Sequence, residues 1–243
     1  MNNPQLSAIA SVKKHFIPSL QQIFGESLLS VMLYGSAAGT EYNPGTSDIN
    51  IMALIEAPAP RNIVELGKQQ SRYIQKQRIS LQIQTVEEFL NAADVFPMEY
   101  LDLMARRQLL FGKDYAETIT VDKRHLRHQV EERLRGSINA IRQAILASKG
   151  SPRRLKLVLI EWFGAQTALL RGLLRLKETS HIPFGADALA GDMAEAYGID
   201  GTPFAELSAL RDGEHKTATA TETAETILVA LTQLSGIVDK LEA

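Results

Sequence analysis

The chain contains no cysteine. That single absence removes disulfides, thiolate metal centres and cysteine nucleophiles together, and it fits a reducing compartment, so a cytoplasmic location is expected. An excess of either charge is also missing. Lys and Arg number 26 against 28 Asp and Glu, a formal net charge of -2, so there is no global basic field to attract nucleic acid, and a nucleic-acid partner is not expected. No uninterrupted apolar run approaches the ~20 residues that span a bilayer, so no membrane partner is expected either. The opening residues, MNNPQLSAIASVKKHF, lack the basic-then-apolar order of a secretory signal. What the chain does have is length and apolar content. With 243 residues and 45% hydrophobic side chains it can build two modest domains, each with its own core.

Periodicity divides the chain in two. Ile9, Val12, Phe16, Leu20 and Ile23 recur at helical steps, and the spacing predicts a helix over residues 3–24, stopped by Gly25. LLSVMLY (28–34) and INIMALI (49–55) read as short buried strands, with Ala37-Ala38 as a helical turn and Asn43-Pro44-Gly45 as a tight turn between them. A helix is predicted over 61–77. RISLQIQT (78–85) then alternates, with Ile79, Leu81 and Ile83 on one face and Ser80, Gln82 and Gln84 on the other. Helices are predicted over 86–93 and 98–110, the second started by Pro97 and ended by Gly112. Beyond Asp122 every pattern is helical. A stripe from Leu126 to Ile145 is stopped by Gly150, Ser151-Pro152 restarts an apolar helix to about Lys177, and further helices follow over 187–197, 203–211 and 221–241. TATATETAET is read as a loop entering the last of them. The expected architecture is α+β: a mixed α/β domain over residues 1–117 with a small mixed sheet flanked by helices, then an all-α helical bundle over 118–243.

The chemistry concentrates in LYGSAAGTEYNPGTSDINI, residues 33–51. A turn leaving a strand presents backbone N–H groups, Gly35 lets a phosphate approach that backbone, and Ser36 adds a hydroxyl. Asp48 and Asn50 are two apart on a strand, which puts them on one face while Ile49 and Ile51 enter the core. Two oxygen ligands beside a phosphate-binding turn suit magnesium-assisted phosphoryl transfer, because the hard ion takes oxygen ligands and bridges a triphosphate. The same residues have an ordinary reading too. Gly-Ser turns are common, and Asp often simply starts a strand.

The stretch resembles the nucleotidyltransferase superfamily of the polymerase-beta type, whose signature is an apolar strand, Gly-Ser, about ten residues and Asp-x-Asp. Gly39, Pro44, Ser47 and Asp48 resemble the small bacterial branch that includes aminoglycoside adenylyltransferases. The resemblance implies a nucleoside triphosphate held with Gly35, Ser36 and Ser47 at the phosphates, Asp48 and Asn50 toward magnesium, and a nucleoside monophosphate passed to a hydroxyl on a small-molecule or protein acceptor. It also exposes a departure. Members of that superfamily carry three carboxylates, and here the second is Asn50, while the strand that should carry the third offers Ser80, Gln82 and Gln84. Neutral amides do not offset the desolvation of a divalent ion as carboxylates do. Three readings stand open: catalysis lost with nucleotide or partner binding kept, carboxylates borrowed from Glu41, Glu99, Asp102 or Glu161, or slow turnover with one ion held mainly by the triphosphate.

Among these donors Glu161 is flanked by apolar residues in LKLVLIEWFGAQTALLRGLL. Burial there would raise its pKa and suit it to general-base work, while pairing with Arg171 or Arg175 is the structural alternative. Arg106 and Arg107 near the end of a helix are read either as triphosphate contacts or as partners of the helix C-terminus. Should catalysis be lost, a regulatory or binding module is the expectation, as a homodimer through the apolar helices 152–177 and 221–241.

Overall fold

The computed structural model describes residues 4–40, 42–44, 47–179, 182–183, 185–211 and 220–241, apart from the side chains of residues 186 and 187. Glu41, residues 212–216 and the first part of the TATATETAET tract therefore lie outside the described residues; the rest of that tract is already helical. The chain divides into two compact units, Met1–Asp94 with Glu99–Val121, and Val95–Met98 with Asp122–Ala243.

The first unit opens with α1 (Pro4–Ser11) and α2 (Ile17–Phe24), joined by a π-helical turn over Val12–Phe16 rather than by the uninterrupted α-helix that the spacing predicts. Pro18 supplies the reason. It has no N–H to bond four residues back, and immediately before it the Ile17 N–H reaches the Val12 carbonyl, five residues away. Strands β1 (Leu28–Tyr34), β2 (Ile49–Ile55), β3 (Ile79–Thr85) and β4 (Arg107–Gly112) form one sheet in the order β3-β2-β1-β4. β1 runs antiparallel to β2 and β4, and β2 runs parallel to β3 through the crossover helix α3 (Pro60–Gln77).

Strand alternation sorts the side chains into two cores. Val31, Leu33, Ile49, Ile51, Ala53, Ile55 and Ile79 meet the α1–α2 segment and α3 on one face. Met32, Met52 and Leu54 meet Phe89 of α4 (Val86–Asn91), Tyr100 and Leu103 of α5 (Pro97–Ala105), and Ala116 on the other. α4 begins in a capping box: the Glu88 N–H donates to the Thr85 hydroxyl at 3.1 Å and the Thr85 N–H to the Glu88 carboxylate at 2.7 Å.

β4 corrects the helix predicted over 98–110. The helix ends at Ala105, and Arg107–Gly112 pairs instead with the second edge of β1. A short apolar run such as Leu109-Leu110-Phe111 has no decisive period of its own. The unsatisfied N–H and C=O groups along β1 settle the matter by offering a ladder. Gly112 ends this strand at φ +76°, and a Cβ there would overlap the Leu29 carbonyl oxygen.

In the second unit α6 (Lys123–Ser148) buries Leu126, Val130, Leu134, Ile138 and Ile141. Ser151 caps α7 (Pro152–Gly164) with Pro152 at its first position. The expected helix to Lys177 is broken at Ala165-Gln166, where α8 (Thr167–Leu176) departs at 51°. Gln166 holds the break: its amide donates to the Trp162 carbonyl at 3.1 Å and its side-chain oxygen accepts from the Ser137 hydroxyl at 2.9 Å. α9 (Ala186–Tyr197), α10 (Thr202–Arg211) and α11 (Ala220–Val238) complete a helical bundle, with Tyr197 donating to the Leu173 carbonyl at 2.7 Å. Among the described residues no single helix is long and apolar enough to cross a membrane.

The Tyr100 hydroxyl donates to the Phe89 carbonyl at 2.6 Å, and burial pushes this phenol up to about 12. In an unfolded chain a phenol ionises near 10. Between those values the unfolded state has released a proton that the folded state retains, so stability present below about pH 10 is lost as pH rises through the window. Chemical denaturation between about pH 9 and 12 is expected to show a falling midpoint. Tyr100→Phe should make the fall shallower without abolishing it, because burial shifts Tyr34 and Tyr197 in the same direction.

Candidate functional site

The stretch singled out in the sequence sits at one edge of the sheet, where β1 ends and β2 and β3 begin. The ladder registers set Arg107, Tyr34, Asn50 and Ser80 side by side across all four strands. Directly paired residues share a face, and this row lies on the side of Met32 and Met52.

Gly35 follows Tyr34 at φ +75° and opens a 3-10 turn, Gly35–Ala38. A Cβ at this position would lie 2.9 Å from the side-chain nitrogen of Asn50, so the turn and the amide are in close apposition, and only a glycine satisfies both the dihedral and the space. The Gly35 N–H is taken by the Arg106 carbonyl at 3.1 Å. That backbone donor is therefore already spent. Behind the turn, Gln5 of α1 donates its amide to the carbonyls of Ala37 and Gly39, bracing the segment from the helical side.

Asp48 stands just before β2 and is directed toward β3. Its carboxylate accepts from Arg78 Nε at 3.0 Å, with both side chains about half exposed, and the Ile49 N–H bonds the Arg78 carbonyl at 2.8 Å. Asn50, rather than Asp48, is the residue against the Gly35 bend. The pairing of Asp48 and Asn50 as two ligands is thus altered: one faces the turn, the other a guanidinium. Ser47 serves the intervening loop. Its hydroxyl oxygen accepts from the Asn43 N–H at 3.1 Å and its own N–H donates to the Asn43 carbonyl at 2.7 Å, which leaves its O–H proton as a donor.

Arg78 is the residue that sequence reading missed. It closes α3 in the left-handed region at φ +53°, a place usually given to Gly or Asn. An arginine where glycine is the easy choice was the one local signal for it. Of the two readings of Arg107, triphosphate contact or partner of the helix C-terminus, the second matches its contacts. Its Nε bonds the Asp114 carboxylate at 2.8 Å and its Nη1 the Met104 carbonyl at 2.9 Å, in a pair less than one-fifth exposed. Asp114 in turn receives the Ala116 N–H at 3.0 Å, so this cation ties β4 to the following loop.

Glu161 departs from its expected surroundings. On α7 the buried positions are Leu155, Leu159 and Phe163, four apart, and a residue two beyond Leu159 points the opposite way on a 3.6-residue helix. Glu161 is exposed and, among the described residues, makes no ion pair with Arg171 or Arg175. The burial on which the general-base reading of Glu161 was founded is thus absent. Glu99 and Asp102 lie on α5, and Gln82 is exposed on β3.

Magnesium can be tested against this donor set. Among the described residues no group of three or more His, Asp or Glu side chains could hold a metal ion. Among the described residues, the Asp48 carboxylate at the sheet edge already faces a guanidinium, and the neighbouring position is an amide. A hard dication that needs several anionic oxygens does not fit these residues.

No family model matches the chain. No curated protein matches it either. Among solved structures it is similar to a spectinomycin adenyltransferase from Enterococcus faecialis, solved with ATP and spectinomycin, at 14% identity and a TM-score of 0.57, over 97% of this chain and 99% of that one. This likeness shows the fold: a nucleotidyltransferase-like mixed sheet with flanking helices, followed by a helical part.

Gly35→Ala is expected to lower stability by about 1–2 kcal/mol in chemical denaturation, from the left-handed dihedral alone. Gly67→Ala, in open space on α3, should be neutral or stabilising and serves as the control.

Proposed function

We propose that the chain is a nucleotidyltransferase-like protein that holds a nucleoside triphosphate at the sheet edge, phosphates toward Gly35, Ser36 and Ser47, and passes a nucleoside monophosphate slowly to a hydroxyl of a small-molecule acceptor. The observation that carries this reading is the close apposition of the Gly35 turn and Asn50, in a fold shared with an enzyme solved with ATP and spectinomycin. ATP and a small hydroxyl-bearing acceptor are accordingly the first compounds to try.

In such a transfer the acceptor oxygen forms a bond to the α-phosphorus, the bond to the bridging oxygen of the β-phosphate breaks, and pyrophosphate leaves with the electron pair. Asp48 is the carboxylate at the edge that can take the acceptor proton. Fixed donors around the phosphates stabilise the charge that develops. With Asn50 in the place of the second acid the rate falls well below that of a complete three-carboxylate site.

A second reading is a catalytically silent nucleotide-binding or protein-interaction module, and the Asp48–Arg78 ion pair favours it, since that pair occupies the carboxylate on which transfer depends. This reading retains the homodimer expectation, with Leu157 and Val158 of α7 and Val229 of α11 as exposed apolar side chains on the helices named for it.

Transfer of label from α-labelled ATP to a panel of hydroxylated small molecules separates the two. Under the transferase reading Asp48→Ala abolishes transfer and Asn50→Asp, which completes Asp-x-Asp, raises it by about tenfold or more, the size of one added charge interaction. Transfer that neither variant alters excludes the transferase reading; ATP binding without any transfer, Asn50→Asp included, selects the silent module.

A further inference from the structure

The hairpin of α6 and α7 carries cations that its own helices do not neutralise. From Arg133 to Ile160 the sequence holds seven Lys and Arg and no Asp or Glu, in a chain whose net charge is -2. Within this stretch α6 ends at Ser148, Lys149 takes the left-handed region at φ +51°, and after Gly150 the cap Ser151 opens α7. The two helices then run back along each other, as the 2.9 Å bond between Ser137 and Gln166 shows. A connection this short keeps the last turn of α6 and the first turns of α7 side by side at one end of the hairpin. Lys149, Arg153, Arg154 and Lys156 all lie there, and among the described residues none of the four enters an ion pair. Other cations of the same unit are paired: Lys123 with Glu178, Arg124 with Asp122, and Arg127 and Arg135 with Glu131.

Two of the four stand where the helix itself opposes them. Arg153 and Arg154 occupy the first turn of α7, the end at which the peptide dipoles present partial positive charge and acids are favoured. That turn contains no acid to compensate. Glu161 is the first acid along α7. It stands one turn beyond Leu157 on the exposed side and bounds the patch there.

Aliphatic side chains are set among these cations. Leu146 is 71% exposed and Leu157 is 65% exposed. Leu157 follows Arg153 by four positions and Arg154 by three, and Leu146 follows Arg142 by four, so each leucine lies in a basic stripe of its helix. This mixture selects among anionic partners. Nucleic-acid phosphates gain from the cations but not from exposed leucines, and residues 133–160 contain no aromatic side chain to stack on a base. A contact of α7 with α7 of a second copy would oppose like charges. An anionic bilayer surface uses both kinds of side chain, Lys and Arg against the headgroups and Leu against the acyl boundary. Such a contact is peripheral and needs no spanning helix.

We infer that the α6–α7 end of the second unit is a peripheral docking surface for anionic lipid, with Lys149, Arg153, Arg154 and Lys156 meeting the headgroups and Leu146 and Leu157 entering between them. Binding of this kind scales with buried apolar area plus attraction to anionic lipid, so both sets of side chains contribute. The inference is independent of the nucleotide site proposed above.

Co-sedimentation of the full-length protein with vesicles tests it, once with phosphatidylcholine alone and once with phosphatidylcholine and phosphatidylserine in equal parts. Binding is expected to the anionic vesicles only, and to fall as salt is raised. Arg153→Gln combined with Arg154→Gln should weaken it by about 25-fold, from roughly fivefold for each basic residue at the surface. Leu157→Asn should weaken it by about fivefold or more while the thermal midpoint stays level, because the side chain is exposed. Lys13→Gln combined with Lys14→Gln, an equal loss of charge from exposed positions of the first unit, should leave binding unchanged. The inference is overturned by absence of binding to the anionic vesicles, by equal weakening in the Lys13/Lys14 and Arg153/Arg154 variants, or by binding indifferent to Leu157→Asn. Tighter binding to a DNA or RNA duplex, read by fluorescence anisotropy and lost in the Arg153/Arg154 variant, also overturns it and assigns the patch to nucleic acid.

Discussion

Strand β1 is hydrogen-bonded along both edges, and the placement of the candidate site depends on that double pairing. Because β2 and β4 both lie antiparallel to β1, and β3 follows β2 in parallel register, one row of residues is brought level at the end of the sheet: Arg107, Tyr34, Asn50 and Ser80. A slip of one residue in any pair would send its members to the opposite face, into the core under α1–α3. The packed Ile and Val side chains on that face make such a slip expensive. Hydrophobic burial on one side of the sheet thus holds polar chemistry in register on the other.

Within that frame, charge decides what the edge can do. Arg107 is a partly buried structural cation, tied to Asp114 and to a carbonyl, and its loss would strand a carboxylate in a poorly solvated place. Arg78 differs: it is half exposed, its pair with Asp48 is a surface contact, and its carbonyl accepts from the Ile49 N–H. Two arginines near the same end of the sheet thus stand in different environments. The contrast lies in solvation, since a surface pair is readily exchanged for a new partner and a buried one is not.

The strands β1 and β2 were legible to the residue, because LLSVMLY and INIMALI are apolar runs bounded by Gly and Pro, and β3 was legible from its alternation. The helical character of the second half was also open, with Ser151-Pro152 marking one helix start. β4 was not, since Leu109-Leu110-Phe111 fits a helix end as well as a strand and only the free edge of β1 distinguishes them. The π turn before Pro18 and the break at Gln166 were hidden for a similar reason, each being a local adjustment of hydrogen bonding within an otherwise helical pattern. Glu161 shows the limit of composition: apolar neighbours in sequence did not bury it, because its direction on α7 is set by Leu155, Leu159 and Phe163.

Sequence alone determined the class of fold, the Gly35-Ser36 turn, and the replacement of a second acid by Asn50, because each is a property of residue type and local spacing. Only tertiary structure decided where the charges face. Asp48 and Arg78 are thirty positions apart in the chain, and nothing short-range connects them. The crossover through α3 and the parallel register of β2 with β3 bring the two together, and that meeting sets an ion pair at the end of the sheet.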